Sequence, residues 1–410
     1  MAQRKGYCPR KGYDALLFEK PHERCSVYVV KNLDRVLCLC AERGVTYPTL
    51  EVPPSPETDD LQIELAAQAA PAIAAAYQLI ATLQHSQPYL VGDILCGSLP
   101  DRSCVRPRRL TRAGSKGLHV NDIAAVRKVD PKKLGRTIRA LATRHVFEEI
   151  SPDVFRNNRI SAGMCTGKPV QEMVQTPDDR WDGTNGSAAM ISISGSLLLK
   201  SAGSLVDNVL DPATALSEEP NESPFSRAYG TELSWYDWLA LPEHKFELKR
   251  FGIAMGGRTS RSNDMLAAKA HDFFEEQPIK DAAVFVTRYT THNWSDKYAK
   301  KYLTRLRDVS LPDTKLIVID DIQDYLCRES ERADTIPGGA KSVAPAPLLP
   351  YPETATSHAY SMDLLMMTIA NCQERTLDQF IALLTSAGWK LERIYRFESP
   401  LPPQLICSPL

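Results

Sequence analysis

Two residues able to move protons follow two apolar runs in the second half of the chain. His292 stands just after Asp281 to Tyr289, and Asp320 just after Lys315 to Ile319. A neutral imidazole accepts a proton near neutral pH, and a nearby carboxylate holds it in one tautomer and stabilises the imidazolium, so such a pair suits general acid–base chemistry. The intervening elements must bring the pair together. Both runs are rich in β-branched residues and read as strands buried on both faces. Between them Ser295 is an N-cap for a helix with Tyr298, Tyr302, Leu303 and Leu306 at helical spacing, and Pro312-Asp313 makes a turn. The pattern predicts one βαβ unit of a parallel sheet. Ligands of such sheets bind beyond the carboxyl ends of the strands, where His292 and Asp320 both lie.

Composition bounds the function classes. At 410 residues the chain has room for two domains with their own cores. A net charge of −1 gives no whole-chain attraction to nucleic acid or to an acidic lipid surface. No secretory signal pattern opens the sequence, and the Ala-rich run Leu65 to Gln84, interrupted by Gln68, Pro71 and Gln78, reads as too weakly apolar to span a membrane. The ten cysteines form no CxxC pair, so reduced thiols in a cytoplasmic protein are expected, with no metal site.

Read in order, residues 1–25 have no assignable period. Val27 to Arg43 predicts a helix stopped by Gly44, Tyr47 to Thr58 a proline-rich loop, and Leu61 to Leu83 a helix interrupted by Pro71. Gln87 to Ala113 has five arginines and almost no apolar period. Leu118 to Val126 predicts a short helix, Asp130-Pro131 caps and opens a second, and Val146 to Ile150 with Val154 to Ile160 predicts a hairpin about Ser151-Pro152-Asp153. That order is a winged-helix arrangement. Its cations Lys132, Lys133, Arg136, Arg139 and Arg144 read as a solvated face more than a DNA-binding one. Gly163 to Asn185 reads as loop, Ala188 to Leu210 as helix, Pro224 to Leu239 as an aromatic core segment with a minority of rings lining an apolar pocket, and Phe246 to Met255 as helix. Glu329 to Pro352 reads as linker rather than a mobile insertion over the site.

Several blocks then carry a family resemblance. Phe225-Ser226-Arg227-Ala228-Tyr229-Gly230-Thr231, Arg250 to Met255, Ala270-His271-Asp272-Phe273-Phe274, Thr291-His292-Asn293-Trp294-Ser295-Asp296 and Gln373-Glu374-Arg375-Thr376 resemble successive blocks of the fungal and plant-type S-adenosylmethionine-dependent O-methyltransferases, of the caffeate and sterigmatocystin kind. The most specific piece is HNWSD with QERT some eighty residues later. The resemblance implies an α/β fold: a truncated Rossmann-like methyltransferase sheet preceded by an α-helical winged-helix dimerisation domain. Residues 26–165 would form that domain, 166–187 a linker and 188–410 the catalytic domain. It also implies a homodimer and a small aromatic or polyketide-type substrate, with no role for nucleic acid or membrane. His292 matches the general base, and Asp320 and Glu374 the two acids near it. Asp272 and Phe273 match contacts to the adenine end of S-adenosyl-L-methionine, Arg288 a basic residue approaching it, and Met366 a methionine packing on the acceptor. Simpler readings stand beside these: Asp320 as a strand-end cap, Glu374 as the N-terminal acid of a helix, His292 as a capping side chain and Met366 as core.

One part of the family pattern is missing. A Gly-rich turn after the first strand, and an acid ending the second, would hold the cofactor. This chain passes from Met255-Gly256-Gly257 to Ala270-His271-Asp272 in a dozen polar residues, so a segment on the order of 60 residues, including the first two strands, has no counterpart. The shortened sheet is expected to expose an edge and an apolar face. Three readings remain open: an active enzyme whose sequence here lacks a segment through inaccurate splicing, a degenerate member that binds cofactor weakly, and an inactive member acting as a dimerising binding or regulatory protein.

Overall fold

The computed structural model describes residues 21–48, 55–83, 116–125, 128–259, 271–327, 335–345, 348–351, 358–397 and 402–410. Gln87 to Ala113 and most of the first 25 residues lie outside these. Helix α1 (Pro21–Glu42) ends before Gly44, whose φ of +69° favours glycine. Helix α2 (Pro56–Leu83) starts earlier than the sequence suggests, because Ser55 and Thr58 exchange side-chain to backbone hydrogen bonds around its first turn. Val36 and Cys40 pack on Leu65 between the two helices. By length and composition α2 and the run Ser187–Leu210 are long and apolar enough to cross a membrane, which corrects the expectation for residues 65–84. Packed helices of soluble proteins meet the same measure.

The winged-helix unit forms as expected, with one difference. Leu118–His119 is a short strand, β1, rather than the start of a helix, and helix α3 is confined to Val120–Ala125. Helix α4 (Pro131–Ala142) is capped by Asp130, which accepts from the backbone N–H groups of Lys132 and Lys133. Strands β2 (Phe147–Ser151) and β3 (Val154–Asn157) complete a sheet of order β1-β3-β2. Ile138 and Phe155 are wholly buried in its core. Arg139 is held by Glu149 and Asp153, and Arg144 lies over the Tyr77 ring of α2, so these exposed cations have partners within the protein. Residues 163–185, read as loop, include the short helix Val170–Gln175.

The second sheet positions the site. Strands β4 (Val284–Arg288) and β5 (Lys315–Ile319) are parallel, joined by helix α5 (Asp296–Asp308), as the βαβ reading requires. Two further pieces, β6 (Ile322–Gln323) and β7 (Arg375–Thr376), pair in parallel with Ile322 opposite Arg375. Helix α6 (His358–Ala370) precedes β7 and helix α7 (Leu377–Ser386) follows it. Antiparallel β8 (Trp389–Tyr395) and β9 (Gln404–Pro409) finish the sheet, whose order is β4-β5-β9-β8. Leu316, Val318, Leu405 and Cys407 face α5 and α7 in one core with Leu303, Phe380 and Trp389.

Among the described residues one face of β4 is left open. β4 is not buried on both faces as expected: Val284 is 47% and Val286 58% exposed, and among the described residues β4 pairs with β5 alone. Parallel strands are buried on both faces only where elements cover both, and no second layer over β4 occurs among the described residues. The other edge is protected. Residues 337–339 pack on the end of β8, where the Ile394 N–H donates to Pro337 O at 2.9 Å and Arg396, just past the strand, donates from Nε to Gly338 O at 3.1 Å. This part of the expected linker therefore closes a sheet edge.

Candidate active site

The chain leaves β4 through Tyr289, whose φ of +48° turns the backbone sharply into the 3-10 turn Thr291–Asn293. That turn carries His292. Pairing of β6 with β7 sets Glu374, the residue before Arg375, beside the residues that follow β5. His292 Nδ1 lies 2.8 Å from Glu374 Oε1, with the imidazole 14% exposed and the carboxylate 2%. The backbone N–H of Glu374 donates to Asp363 Oδ1 at 2.8 Å, which fixes the acid in turn.

Asp320 lies directly behind this pair and is wholly buried. Its Oδ2 accepts from the backbone N–H of Thr291 at 3.0 Å, so it acts on the turn that bears His292. Burial pushes its carboxyl up to about 6, against the pull of His292 and the hydrogen bond from Thr291. The side chains of Thr291 and Tyr302 are joined at 2.9 Å, which ties the turn to α5. Of the two acids expected near the base, Glu374 makes the described hydrogen bond to the imidazole. The strand-end-cap reading describes the hydrogen bond that Asp320 accepts from Thr291, and the shorter Asp side chain suits that position.

An aromatic cluster flanks the turn. Trp294 packs edge-on to Phe274 at 4.7 Å between centroids, and lies 5.9 Å from both Tyr236 and Tyr298. Phe273 is half-buried against Trp294 and Tyr302. Asp272 is exposed, and its Oδ1 accepts from the backbone N–H of Phe274 at 2.9 Å. Arg288 ends β4 with its guanidinium 5.6 Å from the Tyr289 ring centroid. Met366, on α6, is buried with Trp235, Trp238 and Cys372, as the core reading has it. Gly256 lies within the helix Lys245–Thr259, so it makes no turn between a strand and a helix. Two residues of the site were assigned no role from sequence. Arg375 and Asp296 form a buried-to-surface ion pair at 2.8 Å beneath the turn. The available signal was an arginine directly after the acid of QERT and an acid opening the helix after HNWS.

The residues fit the base end of the expected site better than its cofactor cradle. His292 and Glu374 are joined, and Phe273 stands beside the turn through its contact with Trp294. Among the described residues no strand lies beyond β4 and no glycine-rich turn follows a strand.

No protein-family model matches the chain. Individual relatives do. 4-O-methyltransferase 1 of Phanerochaete chrysosporium is 30% identical, over 90% of this chain and 94% of its own length. An O-methyltransferase of Armillaria gallica is 30% identical over 93% of this chain and 98% of its own. The alignment with the Phanerochaete protein runs over 442 residues, more than the 410 of this chain, so the relative carries residues with no counterpart here. The crystal structure of OxaC in complex with SAH and oxaline superposes with a TM-score of 0.57 at 16% identity, covering 94% of this chain and all of OxaC. The mitomycin 7-O-methyltransferase MmcR gives 0.52 at 17%, over 84% of this chain and 99% of its own. These likenesses establish the fold, and the two fungal relatives establish the family. The chain belongs to the O-methyltransferases.

Proposed function

We propose that the chain moves a methyl group from S-adenosyl-L-methionine to a hydroxyl of an aromatic or polyketide-type small molecule, with His292 as general base. One observation carries the reading: the 2.8 Å contact of His292 Nδ1 with the nearly buried Glu374 carboxylate. A carboxylate there accepts the Nδ1 proton, leaving Nε2 as the basic nitrogen. Nε2 then takes the proton of the acceptor hydroxyl as its oxygen becomes nucleophilic, and Glu374 stabilises the imidazolium. Asp320 holds the Thr291 backbone and so the turn. When bound, the cofactor supplies an electron-poor methyl carbon. Asp272, Phe273 and Arg288 are the residues that would hold it, by their match to the family. The substrate class is in keeping with the oxaline bound by OxaC and with the flanking aromatic cluster.

A homodimer belongs to the same reading. Tyr28, Leu33 and Leu37 on α1 and Ile73 and Ile80 on α2 are exposed apolar residues on the helices expected to dimerise. A cytoplasmic location is in keeping with the thiols of Cys40, Cys372 and Cys407, buried and not joined in disulfides.

The β4 edge, unpaired among the described residues, favours one competing reading, an inactive member that binds or regulates as a dimer. Calorimetric titration of the folded chain with S-adenosylhomocysteine separates the two. Binding in the micromolar range is expected for an enzyme. A folded chain that takes up no heat of binding would leave the regulatory reading.

A further inference from the structure

Arg375 has no role in the proton transfer described, yet it is a wholly buried cation directly beneath the base. Its Nη1 donates to Thr291 O at 2.8 Å, and its Nη2 to Trp294 O at 2.8 Å. These two carbonyls bracket the single turn that carries His292. Its Nε donates to Asp296 Oδ1 at 2.8 Å, in the first turn of α5, and Nη1 also reaches Gln373 O at 3.5 Å. Gln373 Nε2 in turn donates to Asp296 Oδ1 at 3.0 Å. One guanidinium therefore binds both ends of the turn, the start of the next helix and the backbone just before Glu374.

We infer that Arg375, with Asp296 as its counter-ion, is the positioning residue that sets His292 against Glu374. The inference rests on the reading of His292 as base and adds the device that aims it. Arg375 and Glu374 are consecutive, so the segment that delivers the carboxylate to Nδ1 also clamps the backbone from which the imidazole projects. A shift of either partner shifts the other. Lysine cannot substitute: its ammonium is a point charge with three donors on one nitrogen, whereas here three separate nitrogens of one guanidinium each reach a different acceptor. The pairing also gives the joint occurrence of HNWSD and QERT a physical cause, since the first motif supplies Thr291 O, Trp294 O and Asp296, and the second supplies Glu374 and Arg375.

The test is the nitrogen-15 long-range correlation spectrum of the His292 ring in the full chain, recorded for wild type, Arg375→Lys, Asp296→Asn and Glu374→Gln, with circular dichroism as the check on folding. In the wild type a hydrogen bond to a carboxylate favours the Nδ1–H tautomer by about tenfold or more. Arg375→Lys is expected to bring the two tautomers to within a few-fold of each other in a folded protein, as Glu374→Gln does by direct loss of the acceptor's charge. Asp296 is half-exposed, so Asp296→Asn leaves the fold intact and gives a smaller shift in the same direction. A folded Arg375→Lys variant with the wild-type spectrum would overturn the inference while leaving His292 as base. If that variant does not fold, Asp296→Asn decides, and an unchanged spectrum there overturns it equally. A wild-type ring already in mixed tautomers would instead overturn the Glu374 contact and the reading beneath it.

Discussion

Glu374 Oε1 lies 2.8 Å from His292 Nδ1 and directly precedes β7, which pairs with β6 among the described residues, so the base and its carboxylate meet across 82 residues of chain through two residues of sheet pairing. Removing the charge while keeping the shape isolates that contact. Glu374→Gln is expected to lower kcat by about tenfold to a hundredfold, and His292→Ala by about a hundredfold or more, with little change in KM for the acceptor. Steady-state kinetics of folded variants check this. An equal loss in KM would assign the pair to binding instead.

Asp320 gives a pH signature in stability. Its folded-state carboxyl, pushed up to about 6 by burial, lies above the ordinary aspartate value of 3.8. Folding therefore favours the protonated form, and that contribution is complete below about pH 4 and lost as pH rises through about 6. Asp320→Asn keeps an acceptor for the Thr291 N–H and carries no charge to bury. Urea unfolding at pH 8 is expected to show the variant gaining on the order of 2–3 kcal/mol over wild type, with the gain shrinking at pH 4. A gain that is the same at both pH values would place the effect elsewhere.

Gly338 is where the loop closes on β8. Its φ is +80°, and a Cβ would stand 2.0 Å from the carbonyl oxygen of Ile394. Gly338→Ala must both strain the backbone and lift the loop, a cost of about 2–4 kcal/mol. Denaturant titration reads that loss. A variant as stable as wild type would show that the loop does not need this close approach.

The apolar stripe on α1 and α2 predicts self-association. Leu33→Glu with Leu37→Glu places charge on two exposed positions and is expected to turn a dimer into a monomer in sedimentation equilibrium while helicity is retained. A dimer that survives the pair of changes would move the interface away from these helices.

Much of this architecture was legible because it is local. The β4, α5 and β5 unit follows from apolar run, helical period and turn, and the winged-helix unit from Asp130-Pro131 and the Ser151-Pro152-Asp153 turn. The site was legible in its residue types. What was hidden depends on distant pairing. Two-residue strands such as Leu118–His119 and Ile322–Gln323 are too short to show a period, and the second partners Thr291 for Asp320 and Trp294 for Arg375 are backbone groups that side-chain chemistry does not advertise. The exposed edge and apolar face of β4 follow from the missing first strands, whereas its β-branched run alone looks the same whether one layer or two cover it.

The most direct measurement is transfer of a labelled methyl group from S-adenosyl-L-methionine to a panel of phenolic acceptors by wild type and His292→Ala, both shown to be folded. Turnover by the wild type that drops about a hundredfold or more in the variant is the predicted result. A folded wild type that methylates nothing, or turnover that survives loss of His292, would contradict the account.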